Sequence, residues 1–131
     1  MVDLFGQYLP IKEEIDAAIQ KVLYDTDFIQ GNAVKYFETA LSNYLGGVHV
    51  ISCGNGTDAL QISMMALDLK PGDEVILPVH TYVATAEVIA LLHLVPVFAD
   101  VDEDTFTLDV SKMERLITPK TAAIVPVQDR A

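Results

Sequence analysis

The spacing of apolar positions changes partway along the chain. From Pro10 onward it is helical. Ile11, Ile15, Ala18, Ile19 and Val22 fall on one face, with Lys12, Glu13, Asp16 and Gln20 on the other. Pro10 suits the opening of such a helix, because its fixed φ fits the first turn and its missing N–H is not needed there. "DTDFIQGN" interrupts the pattern. Asn32 is placed to cap a second helix with Val34, Phe37, Ala40, Leu41 and Tyr44 inward. Gly46-Gly47 predicts its end, since glycine accepts the left-handed conformation that closes a helix. Beyond Gly47 the rhythm shortens. "VHVIS", "VILP", "VPVFAD" and "AAIVPV" read as strands. Between them "TDALQISMMAL" has Leu60, Met64 and Leu67 on one side of a helix, and "TYVATAEVIALL" has helical spacing. "KPGDE" predicts a turn, "VDEDTFTLD" an acidic loop, and Ser111 with Glu114 a capping box before "MERLI".

The pattern is β-α-β-α-β-α-β after two leading helices. Short, nearly all-apolar strands rich in Val and Ile are buried on both faces, so it predicts an α/β fold with a mostly parallel sheet flanked by helices. The chain stops at "VPVQDRA", where such a sheet ordinarily runs on into another helix, and it reads as cut off.

Composition narrows the function. With 131 residues, about half of them apolar, the chain suffices for one domain with a real core. A net charge of −11 argues against nucleic acid or an anionic membrane as partner. It leaves room for a local anion site, because backbone amides at a helix start bind anions without Lys or Arg. One cysteine, Cys53, excludes an internal disulfide and reads as a small buried hydrophobe. With no signal-like start and no apolar run of transmembrane length, it predicts a cytoplasmic protein.

In a parallel α/β sheet, ligands bind beyond the C-terminal ends of the strands. Three segments lie there. "CGNGTD" is neither a Walker loop nor Gly-x-Gly-x-x-Gly, since Ala59 holds the third glycine's place. Gly54 and Gly56 let a ligand approach the backbone. Thr57 offers a hydroxyl, and Asp58 either a free first-turn amide or simply a helix cap. In "HTYVAT", Tyr82 reads locally as core, with stacking on a flat ligand as the alternative, and His80 reads as structural. "DVDEDTFTLD" imitates an EF-hand, but Thr105 stands where glycine is required and Ser111 where glutamate is. No metal site is expected.

The segments "GNAVKYFETALSNYLG", "VISCGNGTDALQISMMAL", "LKPGDEVILPVHTYVATAEVI", "PVFADVDEDTFTLD" and "ITPKTAAIVPV" occur in this order. Together they resemble the N-terminal part of the DegT/DnrJ/EryC1/StrS family of sugar aminotransferases, from about Asp3 to Val127. The resemblance implies the large domain of the type I pyridoxal-phosphate (PLP) fold, with leading helices over 1–46 and a cofactor-binding segment over 47–131. It implies that Gly56, Thr57 and Asp58 hold the cofactor phosphate, that Tyr82 stacks on the pyridine ring, and that Thr85 lines the pocket. This replaces the core reading of Tyr82.

The resemblance also implies a homodimer and amino transfer, with glutamate as the usual donor and a nucleotide-linked keto-sugar as acceptor. The family's Schiff-base lysine and the aspartate on the ring nitrogen lie downstream. None of Lys12, Lys21, Lys35, Lys70, Lys112 and Lys120 matches the lysine motif. No catalytic residue is nominated, and the isolated chain is expected to be inactive. Two departures stand out. Leu92-His93-Leu94 replaces a phrase in which the family often has glycine, and Gln128-Asp129-Arg130-Ala131 replaces a His and Tyr-Gly continuation. The alternatives are a non-catalytic phosphate- or nucleotide-binding module, or a degenerate remnant with unburied apolar faces.

Overall fold

The computed structural model describes residues 2–127. The departure at Gln128–Ala131 lies outside them. The chain divides into two compact units, with the boundary between Ser52 and Cys53.

The first unit is helical. α1 (Leu4–Tyr8) is capped by Asp3, whose carboxylate accepts the Gly6 amide at 2.8 Å. A 3₁₀ turn (Leu9–Ile11) carries Pro10, and α2 (Lys12–Asp25) follows. The helix expected at Pro10 therefore begins two residues later, after a short helix that the apolar spacing did not reveal. α3 (Asn32–Tyr44) is capped by Gly31, not Asn32. The Asn32 amide instead donates to Asp27 Oδ2 at 2.7 Å, which shifts the cap back by one residue. A Cβ on Gly31 would meet the Asp27 carbonyl oxygen at 2.4 Å, so that position requires glycine.

α3 ends as expected. Gly46 takes φ +84, its amide donates to the Asn43 carbonyl, and the Gly47 amide reaches the Ser42 carbonyl at 2.8 Å. Neither α2 nor α3 has a buried residue. On the faces read as inward, Ile19, Phe37 and Tyr44 are exposed, while Ile15, Val22 and Leu41 are half-buried. Residues 48–52 form no strand. An apolar run becomes a strand only when its backbone finds a ladder partner, and the Ser52 amide donates to Glu38 Oε1 at 3.0 Å instead.

The second unit is α/β. Its elements are α4 (Gly56–Ala66), β1 (Glu74–Pro78), α5 (Ala84–Leu91), β2 (Val95–Ala99), α6 (Val110–Glu114) and β3 (Thr121–Ile124). The sheet is parallel, in the order β2-β1-β3. β1 pairs with β2 from Glu74↔Val95 to Pro78↔Ala99. Val75 to Pro78 are buried, as expected of a central strand covered on both faces. Val75 and Leu77 join Met64 of α4, Val88 and Ile89 of α5, and Leu94 in one apolar core. Leu60 packs against it, whereas Leu67 is exposed.

Loop chemistry sets the remaining geometry. Gly72 takes φ +90 in the "KPGDE" turn, where Asp73 Oδ2 accepts the Lys70 amide at 2.8 Å. α5 closes on His93 at φ +59. The His93 amide bonds the Ala90 carbonyl and the Leu94 amide the Ile89 carbonyl, while Ile89 and Leu94 share the core beneath. His93 belongs to the Leu92-His93-Leu94 phrase noted above; its backbone is left-handed, a region histidine tolerates better than most residues. α6 is capped by Asp109, two residues before the expected Ser111. Asp109 Oδ1 accepts the amides of Ser111 and Lys112 and the Ser111 hydroxyl, so Ser111 donates to the cap.

Candidate functional site

The site is assembled from the start of α4 and the turn that follows β1. Asn55 is the N-cap of α4. Its Oδ1 accepts the Asp58 amide at 3.0 Å, its Nδ2 donates to Asp58 Oδ2 at 3.0 Å, and its carbonyl accepts the Ala59 amide at 3.1 Å. Asp58 is therefore not the cap, and its amide is not free. Of the four amides that a helix start leaves without intrahelical partners, the Asn55 side chain satisfies that of Asp58. Those of Gly56 and Thr57 have no partner among the described residues.

The two glycines differ. A Cβ on Gly54 would lie 2.6 Å from Asp58 Oδ2, so Gly54 makes room for the clasp between Asn55 and Asp58. A Cβ on Gly56 would meet nothing within 4 Å, and its φ is not in the left-handed range. Nothing within the described chain requires glycine at 56. Cys53 is exposed rather than buried, and its thiol donates to the Asn55 carbonyl at 3.4 Å.

On the other side, residues 79–83 leave the C-terminal end of β1 and enter α5. Tyr82 is 77% exposed, which excludes the core reading. Its ring makes no aromatic contact and its hydroxyl no hydrogen bond among the described residues. Thr85 is only 5% exposed, and its hydroxyl pairs with that of Thr81 at 3.0 Å. The Thr85 amide donates to the Tyr82 carbonyl at 3.1 Å.

A cavity of about 440 Å³ joins the two segments. It is lined by Asn55, Gly56, Thr57, Leu60, Tyr82, Ala84 and Thr85. Four of the five residues singled out in the sequence, Gly56, Thr57, Tyr82 and Thr85, meet there. Asp58 does not line it. Asn55 was missed as a site residue, although Asn-x-x-Asp ahead of an apolar helical run is a capping signature.

The acidic loop after β2 is held by its own bonds. Asp102 Oδ1 accepts the amides of Asp104 and Thr105 and the Thr105 hydroxyl. The Thr105 amide first, then its hydroxyl and the Asp104 amide, hold the Asp102 carboxyl below its ordinary value of 3.8. Lys112 beside Asp100 lowers that carboxyl too, with help from the Val101 amide. His80 and Phe106 bring this loop against the one after β1, their ring centroids 5.6 Å apart. No group of three or more metal-ligating side chains occurs among the described residues, and no described helix is long and apolar enough to cross a membrane.

A parallel sheet with a cavity lined by a helix start and by the turn beyond the C-terminal end of β1 has the arrangement in which α/β folds take up ligands. Comparison identifies its kind. The chain belongs to the DegT/DnrJ/EryC1/StrS aminotransferase family, whose model matches residues 10–129. It is 52% identical over 126 residues to the UDP-2-acetamido-2-deoxy-3-oxo-D-glucuronate aminotransferase of Pseudomonas aeruginosa, covering 96% of this chain and 35% of that protein. A DegT DnrJ EryC1 StrS aminotransferase from Brucella abortus superposes with a TM-score of 0.87 at 41% identity, over 95% of this chain and 35% of the other. The ntda protein of Bacillus subtilis, with bound cofactor PMP, superposes with a TM-score of 0.82 at 39% identity, over 87% of this chain and 26% of the other. The chain thus spans about a third of the length of the relatives it matches, and its fold is the N-terminal portion of the type I PLP transferase large domain.

Proposed function

We propose that this chain is the N-terminal part of a PLP-dependent aminotransferase that moves an amino group, with glutamate as donor, onto a nucleotide-linked keto-sugar. In this reading, residues 1–46 are leading helices and 47–131 the cofactor-binding segment of a cytoplasmic homodimer. The observation that carries it is a cavity lined both by Gly56 and Thr57, whose amides have no partner among the described residues, and by the exposed Tyr82. A flat, phosphate-bearing cofactor fits these residues. The amides of Gly56 and Thr57 and the Thr57 hydroxyl hold the phosphate, aided by the helix dipole. Gly56 lets the phosphate close on the backbone. The Tyr82 ring would stack on the cofactor ring, and Thr85 lines the wall. Asp58 serves the site from outside the cavity, through its clasp with Asn55. Its carboxylate, if turned inward, would repel a phosphate.

When bound, PLP supplies the electron sink for amino transfer. The chain's own residues bind and orient it. None of its lysines lines the cavity, so the isolated chain supplies no proton-moving amine there. With PLP, glutamate and a nucleotide-linked keto-sugar, it should give no sustained transamination. Sustained turnover would contradict this. In a thermal-shift assay PLP should raise the melting midpoint. Protection by ATP or NAD but not PLP would instead favour a non-catalytic nucleotide-binding module.

A further inference from the structure

We propose that Thr81 is a positioning residue for Tyr82, on the reading of the cavity given above. Tyr82 is 77% exposed and its side chain has no partner among the described residues, so packing does not fix where its ring sits. Its position depends on the turn that carries it. That turn is closed twice: by the Thr85 amide on the Tyr82 carbonyl at 3.1 Å, and by the hydroxyl pair between Thr81 and Thr85 at 3.0 Å. Thr85 is anchored, being 5% exposed at the start of α5 between the buried Ala84 and the core residues Val88 and Ile89. Thr81 is not among the cavity's lining residues. Its hydroxyl ties the residue before Tyr82 to the buried residue three positions after it. Without that hydroxyl the turn loses its side-chain closure, and the buried Thr85 hydroxyl loses its partner. The arrangement makes Thr81 act on ring stacking and not on phosphate capture, which is the work of the α4 start.

The test measures the binding of PLP and, separately, of inorganic phosphate to the chain and its variants, with the melting midpoint of each recorded. Thr81→Val should weaken PLP binding about three- to tenfold, the range expected for a displaced aromatic stack. Phosphate binding should change by less than about twofold, since the α4 amides are untouched. Thr81→Ser should restore PLP affinity. In a Tyr82→Ala background, Thr81→Val should add no further loss. Thr81→Ala replaces the valine variant if the latter does not fold.

The proposal is overturned if Thr81→Val binds PLP as the parent does, if it weakens phosphate equally, or if its effect persists without Tyr82. Each of these outcomes leaves the reading of the cavity intact. A parent chain that binds no PLP would overturn that reading and this proposal together.

Discussion

Single residues divide the glycine turn into two tasks. Gly54 serves the chain, because its hydrogen faces the Asp58 carboxylate. In the proposed reading Gly56 serves a ligand, since nothing among the described residues lies within 4 Å of where its Cβ would be. Gly54→Ala should displace Asp58 from Asn55 and lower the melting midpoint. Gly56→Ala should leave stability unchanged or raise it by up to about 1 kcal/mol, alanine being the better helix former, yet weaken PLP binding. Equal effects of the two on folding would refute the division. His93 provides a test free of ligand. At φ +59, His93→Gly should be tolerated, with at most about 1 kcal/mol gained. His93→Val should cost about 1–2 kcal/mol, since a branched Cβ is least compatible with that region. Thermal melts of the two variants read the difference.

At the scale of elements, periodicity was legible wherever packing exists and misleading where it does not. β2 lies within the apolar run that suggested it, β1 and β3 each begin one residue before theirs, and α4 and α5 bury Met64, Val88 and Ile89. "VHVIS" has the same composition but no strand, because hydrophobicity does not supply a ladder partner. Caps were the least legible. Asn55, Gly31 and Asp109 were each displaced by one or more residues from the expected cap, because several Asn, Asp and Ser side chains compete at every start. Asn55→Ala should cost about 1 kcal/mol and also weaken phosphate binding, since it frees the Asp58 carboxylate beside the cavity.

The acidic loop carries a pH signature. Asp102 has a lowered pKa in the folded chain, so its contribution is full above the unfolded value near 3.8 and is lost as pH falls through the lower folded value. Asp102→Ala should therefore lower the midpoint at pH 7 and converge with the parent at acid pH. Parallel melting curves from pH 7 to pH 2 would contradict this.

Across the whole molecule, the apolar faces of α2 and α3 mark the limit of what spacing reveals. Spacing identified faces, not what covers them, and among the described residues no side chain on either helix is buried. The chain spans about a third of its relatives' length. The candidate site was legible because its residues lie in two short segments, each at or just before the start of a helix. The bonds that tie Asp58 to Asn55 were not legible, because spacing does not show which side chains pair. The most direct measurement is an amide-proton NMR titration of the isotopically labelled chain with PLP. The account predicts its largest shifts at the Gly56 and Thr57 amides, with the Tyr82 ring resonances moving in step. Saturating PLP that leaves those resonances in place would contradict it.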